Sequence, residues 1–217
     1  MQKLESVLPS ARSMKGKSTL EPQESEKFNS QSRFLTLGDS RLVEMKGAAS
    51  VFAREVETKQ RPRWLSLLGA SGSGKTFLAR ELFKFAAPRC PHSGVRLGVT
   101  SSAPSTDFAT IDEIEENAKP PQPHTRDYLR SLANEWFLVI DDLGDDHDPS
   151  GYMVNVISRL LDRRLGKWTV ITSNLSHSQI SQDLDARIAS RMIRGGSQIL
   201  EITVPDFWER DIHNQQS

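Results

Sequence analysis

The chain has 217 residues, enough for one well-buried domain with appendages, whereas two full domains would be crowded. Its 28 basic and 28 acidic residues cancel, which argues against a protein that coats nucleic acid by electrostatics alone. Cys90 is the only cysteine, so a disulfide framework within the chain is excluded and a reducing compartment is favoured. The sequence contains neither an apolar run of about 20 residues nor the pattern of a secretory signal. We therefore expect a cytoplasmic protein that does not associate with membranes.

The first 33 residues are polar and lack a sustained hydrophobic period. Such a segment buries too little surface to offset the entropy of ordering, so we predict a mostly disordered arm at 1–33. A weak amphipathic helix that binds a partner is the alternative. Apolar residues then recur at helical spacing and predict a helix at about 40–58. We expect the folded core to span 34–204 and a polar tail to occupy 205–217.

Short apolar runs along the core predict five strands. They lie at 64–68, 95–100, 136–140, 168–172 and 198–204. Helical patterns alternate with them, at about 77–85, 124–134 and 151–161, while the acidic segment at 112–116 has no clear pattern. Strands that are apolar throughout and alternate with helices indicate a parallel sheet covered on both faces. The sequence thus predicts a three-layer α/β fold with a five-stranded parallel sheet.

A glycine-rich segment after the first predicted strand has the spacing of a phosphate-binding loop. Residues 69–76 read GASGSGKT and match GxxxxGK[ST] at every fixed position, between a predicted strand and a predicted helix. Glycines let backbone N–H groups curl around phosphate oxygens, and the helix N-terminus adds partial positive charge. We therefore expect ATP and Mg²⁺ here, with Lys75 on the β- and γ-phosphates and the Thr76 hydroxyl on the metal. The expected nucleotide contacts are Gly69, Ser71, Gly72, Ser73, Gly74, Lys75, Thr76 and Phe77.

The third predicted strand runs into two carboxylates. Residues 137–142 read FLVIDD, and a strand of this kind carries its first carboxylate to the edge of the sheet where open α/β folds bind ligands. We expect Asp141 to hold Mg²⁺, directly or through water, and Asp142 to orient or deprotonate the attacking water. The alternative is that both residues merely begin an acidic turn that continues through 145–148.

The fourth predicted strand ends in Ser173 and Asn174. A polar residue at this point can contact the γ-phosphate or its water, and we assign that role to Asn174, with a cap of the next turn as the alternative. One predicted strand lies between the phosphate loop and the Asp141 strand. Together with the acidic pair, this order is typical of the additional-strand branch of P-loop ATPases rather than of nucleotide kinases.

Three motifs carry a family likeness. FLVIDDLG, VITSNLS and DLDARIASRMIRGG follow the phosphate loop in an order and spacing that resemble the DnaC/DnaI helicase loaders and the IstB transposition helper. These belong to the initiator clade of AAA+ ATPases, with DnaA as a more distant relative, and the likeness covers about residues 40–204. It implies an AAA+ core, slow ATP hydrolysis stimulated by a partner, and an ATP-dependent homo-oligomer.

The resemblance also assigns roles to residues near the end of the core. It implies that Asn174 is the sensor 1 residue and that Arg191 is the arginine finger of a neighbouring subunit's site, where a guanidinium stabilises charge on the γ-phosphate. Arg187 lies four residues earlier on the same helical face, where it shares that role or pairs with a carboxylate. The alternative for both arginines is a surface helix with solvated charges.

Two departures from the family limit what the likeness implies. The sequence ends soon after the fifth predicted strand, so we expect no C-terminal lid domain and assign no sensor 2 arginine. The partner-binding domain of the loaders is missing or reduced to the arm at 1–33. The implied partner is a replicative helicase or an initiator, with a transposase as the alternative. A nucleotide-gated adaptor with little turnover and a small-molecule kinase are further readings, the latter disfavoured because no acceptor-binding lid is evident.

The second half of the core has a local excess of basic residues. Residues 151–200 contain seven Lys and Arg against three Asp. The seven are Arg159, Arg163, Arg164, Lys167, Arg187, Arg191 and Arg194. This excess could follow a phosphate backbone, and the family likeness implies contacts with single-stranded DNA inside a ring or spiral, although no aromatic-rich stacking face is evident.

Overall fold

The computed structural model describes residues 43–91, 105–119, 124–144 and 150–202. The predicted arm at 1–33, the predicted strand at 95–100, the acidic residues 145–148 and the predicted tail at 205–217 lie outside the described residues. Within the described ranges, no helix combines the length and the apolar character needed to cross a membrane.

Helices and strands alternate along the described chain. In chain order they are α1 (Val43–Glu57), β1 (Trp64–Gly69), α2 (Lys75–Ala86), β2 (Thr106–Thr110), α3 (Ile111–Ala118), α4 (Thr125–Asn134), β3 (Phe137–Asp141), α5 (Tyr152–Arg164), β4 (Trp168–Ser173), α6 (Ala186–Met192) and β5 (Gln198–Ile202). Short helical turns lie at Ala87–Arg89, His177–Gln179, Ile180–Leu184 and Arg194–Gly196.

The five strands form one parallel sheet in the order β2-β3-β4-β1-β5. Because every pair is parallel, the carboxyl ends of all five strands lie along the same edge. β4 lies between β3 and β1, so the residues that follow it are next to both of these strands. The predicted five-stranded parallel sheet is confirmed.

Helices cover both faces of the sheet, as predicted for three layers. On β1, Leu65 and Leu67 pack in the core that contains the buried residues of α1 and α2. Trp64 and Leu68 belong to the opposite core, with the buried residues of α3, α4, α5 and α6. This alternation follows from the two-residue period of a strand, and it explains why the central strands are apolar on both faces.

The second strand among the described residues, β2, was not predicted from the apolar runs. The strand that pairs with β3 is β2, a polar segment in which Ala109 is the buried residue. At its end Thr110 opens α3 through a capping box: its hydroxyl accepts from the Glu113 N–H, and the Glu113 carboxylate accepts from the Thr110 N–H. The acidic residues at 112–116 therefore belong to a capped helix.

A buried arginine links several segments by hydrogen bonds at the amino-terminal edge of the sheet, the edge opposite the carboxyl ends of the strands. Arg164 donates to the backbone carbonyls of Leu132, Glu135 and Trp168 and to the Thr169 hydroxyl. Burial lowers the pKa of Arg164 to about 9, because desolvation penalises the cation, while the nearby Glu135 acts in the opposite direction. The guanidinium remains charged at neutral pH and joins the end of α5 to the residues between α4 and β3.

Candidate nucleotide-binding site

The phosphate loop occupies the turn from β1 to α2, at the carboxyl edge of the sheet. Gly69 has φ +132°, and a Cβ added there would lie 2.2 Å from the carbonyl oxygen of Ile202 on β5. Gly74 has φ +91° and precedes the first residue of α2. Both positions need glycine, the first for the close approach of β5 and the second for its left-handed backbone. The sequence motif therefore coincides with a loop whose backbone requires it.

Lys75 is positioned within this loop by the protein itself. Its amino group donates to the carbonyls of Gly69 and Ala70, each at 2.7 Å, and to Oδ1 of Asn174 at 3.0 Å. The Ser73 hydroxyl lies 3.4 Å away, and Lys75 is only 5% exposed. Asn174 directly follows β4. The structure therefore brings together two residues that the sequence assigns separately to the phosphates.

Asp141 is the last residue of β3, as expected for a carboxylate carried to the sheet edge. It is 1% exposed, and its Oδ1 accepts a hydrogen bond of 2.6 Å from the hydroxyl of Thr172 on β4. Sequence reasoning missed Thr172. The available signal was the presence of hydroxyl residues in a strand that is buried throughout, because a buried hydroxyl requires a hydrogen-bond partner.

Asp142 begins the loop after β3 with an unusual backbone. Its φ is +62°, which is uncommon for a residue other than glycine, and its N–H donates to the Thr172 hydroxyl at 2.9 Å. The next N–H, of Leu143, donates to the Thr172 carbonyl, also at 2.9 Å. Two successive backbone donors thus fix this turn against β4, and the side chain of Asp142 is half-buried at the same edge.

The remaining predicted contacts lie on the loop and the first turn of α2. Ser73 is buried, Thr76 is half-buried, and Ser71 is exposed. The ring of Phe77 is 43% exposed. The Thr76 hydroxyl and the Asp141 carboxylate are hard oxygen donors of the kind that Mg²⁺ prefers, and the buried, held carboxylate fits a metal ligand. Among the described residues there is no group of three or more His, Cys, Asp and Glu side chains placed to hold a metal. A magnesium ion here would therefore take most of its ligands from phosphates and water.

The two arginines of α6 are both engaged in ion pairs. Arg191 donates from Nε to Asp162 and from Nη1 to the Ser158 hydroxyl at 3.1 Å, both on α5, and its side chain is 12% exposed. Arg187 forms an ion pair of 2.7 Å with Asp185. Asp185 also caps α6, because its carboxylate accepts a hydrogen bond from the Arg187 N–H. These hydrogen bonds lower the pKa of the Asp185 carboxyl. Of the two roles expected for Arg187, a shared arginine finger and a pair with a carboxylate, the structure shows the pair.

Solved structures similar in fold to this chain include a helicase loader and a replication initiator. The chain superposes on DnaI with a TM-score of 0.62 and 24% identity, covering 82% of this chain and 94% of that one. A DnaC helicase loader gives a TM-score of 0.56 and 21% identity, covering 82% of this chain and 99% of that one. The replication initiator DnaA bound to AMPPCP and single-stranded DNA gives 0.61 and 14% identity, over 91% of this chain and 56% of that one. The chain has the AAA+ P-loop fold of these proteins. No protein-family model and no curated protein sequence matches it.

The basic residues of 151–200 do not form one surface. Arg164 is fully buried, and Lys167 donates to the Ala133 carbonyl at 2.5 Å. Arg194 donates to the Ser190 hydroxyl at 3.1 Å. The two arginines of α6 are in ion pairs, and Arg194 keeps an exposed charge. Of the seven, Arg159 and Arg163 are the exposed side chains for which no hydrogen bond or ion pair is found among the described residues.

These two arginines line a groove between α4 and α5. Arg126 of α4 lies in the same groove, whose volume is about 660 Å³, and Tyr152 is at its start on α5. The Tyr152 hydroxyl donates to the Ala118 carbonyl at 2.7 Å, which holds the ring in place. All three arginines are exposed, and no ion pair to them is found among the described residues. The groove is therefore a basic surface built from two helices, and Arg126 was not part of the sequence-based count.

Proposed function

We propose that this chain is an ATP-binding and ATP-hydrolysing AAA+ switch that acts in DNA replication, in the manner of a helicase loader or an initiator. One observation carries the proposal: side chains at or just beyond the carboxyl ends of β1, β3 and β4 are joined by hydrogen bonds. Asn174 contacts Lys75 on one side, and Thr172 contacts Asp141 on the other. The similarity in fold to DnaI, DnaC and DnaA supports the choice of biological process.

The proposed roles follow from the chemistry of each side chain. Lys75 binds the β- and γ-phosphates, and the loop's backbone N–H groups bind their oxygens. Thr76 and Asp141 hold Mg²⁺, which neutralises phosphate charge. Asp142 orients or deprotonates the attacking water, and Asn174 contacts the γ-phosphate. The Lys75 amino group has four acceptors within the protein, so a phosphate oxygen has to replace one of them, and the side chains of Asn174 and Ser73 are the two acceptors that can rotate away.

Arg191 is proposed to act on the site of a neighbouring copy within an ATP-dependent homo-oligomer. In the single chain it is held by Asp162 and Ser158. To reach a phosphate in trans, it has to exchange the carboxylate for the more highly charged phosphate. The ion pair therefore restrains the arginine until a partner subunit is in place.

The groove between α4 and α5 is proposed to contact single-stranded DNA. Arg159 and Arg163 are four residues apart, so they lie on one face of α5, about 6 Å apart along its axis. Arg126 faces them from α4. Single-alanine variants of the three should each reduce the salt dependence of binding to an oligothymidylate by about 0.7 in the log–log slope. Arg187→Ala is the matched control, since that exposed arginine is already paired.

Turnover is tested with the full-length chain and three variants. Lys75→Ala should weaken ATP binding at least tenfold, because a buried cation is removed from the phosphates. Asp142→Asn should still bind ATP but hydrolyse it about 100-fold more slowly. Lys84→Ala is the matched control: it also lies on α2 but is exposed and pairs with Glu81. Equal losses in Lys84→Ala and Lys75→Ala, or full turnover in Asp142→Asn, would contradict the assigned site.

The partner is tested by affinity capture from an extract of the native cell. Asp142→Asn with ATP and Mg²⁺ holds the loaded state, and Lys75→Ala supplies the state without productive ATP. Recovery of a replicative helicase or an initiator with Asp142→Asn alone supports the proposal. Recovery of a transposase moves the protein to the transposition helpers, and identical captures with both variants count against an ATP-controlled switch.

A further inference from the structure

The hydroxyl of Thr172 lies between the two carboxylate residues of the candidate site. Thr172 is fully buried on β4. Its Oγ1 donates to Oδ1 of Asp141 at 2.6 Å and accepts from the N–H of Asp142 at 2.9 Å. One side-chain oxygen thus contacts the side chain of the first aspartate and the backbone of the second.

Packing alone does not account for a threonine at this position. Valine has the same branched shape and suits a buried strand better, because it carries no polar atom that needs a partner. The hydroxyl is used fully, once as a donor and once as an acceptor. By contrast, Thr169 at the other end of β4 accepts from Arg164, far from the phosphate loop, and closes the opposite edge of the sheet.

The two hydrogen bonds restrict different degrees of freedom. The bond to Asp141 fixes the rotation of its carboxyl group, because one oxygen must point at β4. The bond from Asp142 supports a left-handed backbone at φ +62° in a residue with a Cβ. The same turn is held from the next residue, since the Ser173 hydroxyl donates to the Leu143 carbonyl at 2.5 Å. Residues that orient a metal-binding carboxylate in this way commonly change metal affinity 10- to 100-fold when they are lost.

We propose that Thr172 is a positioning residue that orients Asp141 for Mg²⁺ and sets the backbone from which the Asp142 side chain projects. The inference rests on the proposed function, since it takes Asp141 as the metal ligand. The inference goes beyond the proposed function because it makes the magnesium affinity of the site depend on a hydroxyl of β4, the strand next to the one that carries Asp141. The same strand end carries Asn174, so the metal ligand and the γ-phosphate contact are set by one short segment.

The test compares Thr172→Val, which keeps the shape and loses the hydroxyl, with Thr172→Ser, which keeps the hydroxyl and loses a methyl group. Nucleotide binding to the full-length protein is followed with a fluorescent ADP analogue, first in EDTA and then as free Mg²⁺ is raised. Thr172→Val should need 10- to 100-fold more Mg²⁺ for half of the metal-dependent gain in affinity, with binding in EDTA unchanged. Thr172→Ser should stay within about threefold of the wild type.

Three results would overturn the inference. The first is a normal Mg²⁺ titration in Thr172→Val. The second is an equal loss in both variants, which would point to methyl packing. The third is failure of Thr172→Val to fold while Thr172→Ser folds, which would make the hydroxyl a requirement of the fold. A wild-type protein that shows no Mg²⁺-dependent nucleotide binding would overturn the proposed function and this inference together, which separates that failure from the other three.

Discussion

Arg163 and Arg164 are adjacent in sequence, and the structure predicts opposite consequences for replacing them. Arg164 is fully buried at the amino-terminal edge of the sheet, whereas Arg163 is exposed in the groove between α4 and α5. We therefore expect Arg164→Met to unfold the protein at a lower temperature without a specific effect on DNA. Arg163→Met should weaken binding to single-stranded DNA without a change in stability.

The size of the stability effect follows from the contacts of Arg164. Its guanidinium donates to three backbone carbonyls and one hydroxyl, and these buried acceptors lose that donor when it is removed, although the Leu132 carbonyl also accepts from the Glu135 N–H. Each unsatisfied acceptor costs about 1–3 kcal/mol, and relief from burying the cation offsets part of the sum. Loss of one member of a buried polar network costs about 3–5 kcal/mol overall. For a domain of this size, the expected decrease in Tm is on the order of 10 °C.

Calorimetry and urea unfolding measure the first effect, and fluorescence anisotropy with a labelled oligothymidylate at several salt concentrations measures the second. Arg163→Met should leave the free energy of unfolding within about 0.5 kcal/mol of the wild type. A Tm for Arg164→Met equal to that of the wild type would refute the buried network. Equal Tm losses in the two variants would refute the assignment of one arginine to the interior and the other to the surface.

Three more outcomes are expected from single substitutions. Gly69→Ala places a Cβ against the β5 carbonyl and should weaken ADP binding at least tenfold in isothermal titration calorimetry, because the phosphate loop has to shift. Hydrogen bonds from Arg187 lower the pKa of Asp185 in the folded state below its value in the unfolded state. The carboxylate therefore stabilises the fold at pH values above the unfolded-state pKa, and this stabilisation is lost as the pH falls through the folded-state pKa. Asp185→Asn should accordingly flatten the acid side of a Tm-against-pH curve below about pH 4. Asp162→Asn removes the carboxylate that holds Arg191. The ATPase activity that depends on protein concentration should therefore rise severalfold, and a decrease would count against a restraint of Arg191 by this ion pair.

The parts of the site that were predictable from sequence are those encoded by local spacing. The fixed positions around Lys75 specify a loop geometry by themselves, and an apolar run that ends in a carboxylate specifies where Asp141 lies on a parallel strand. Thr172 could not be assigned in this way, because its partners are about 30 residues away in sequence and become neighbours only through the pairing of β3 with β4. A hydroxyl in a buried strand indicates that a hydrogen-bond partner exists, but the strand's own sequence does not identify that partner.

The strand β2 was missed for a different physical reason. It forms the edge of the sheet, and its residues are mostly half-buried, so a polar sequence such as TDFAT is compatible with a strand at this position. The apolar pattern that identifies central strands is therefore absent at this position. The charge count of 151–200 failed for a related reason, because it gave Arg164 and Arg163 equal weight although one is buried and the other exposed.

The order of the strands gives independent support to the position of the site. From β1 the chain crosses to β2 at one edge of the sheet, whereas from β4, which pairs with β1, it crosses to β5 on the other side. Connections that leave two adjacent strands in opposite directions open a crevice at their carboxyl ends, and open α/β folds bind their ligands there. That crevice lies between Gly69 and Ser173, the last residues of β1 and β4. The Lys75–Asn174 hydrogen bond spans the same gap, so the topology and the glycine-rich motif, which are separate properties of the chain, indicate one place for the nucleotide.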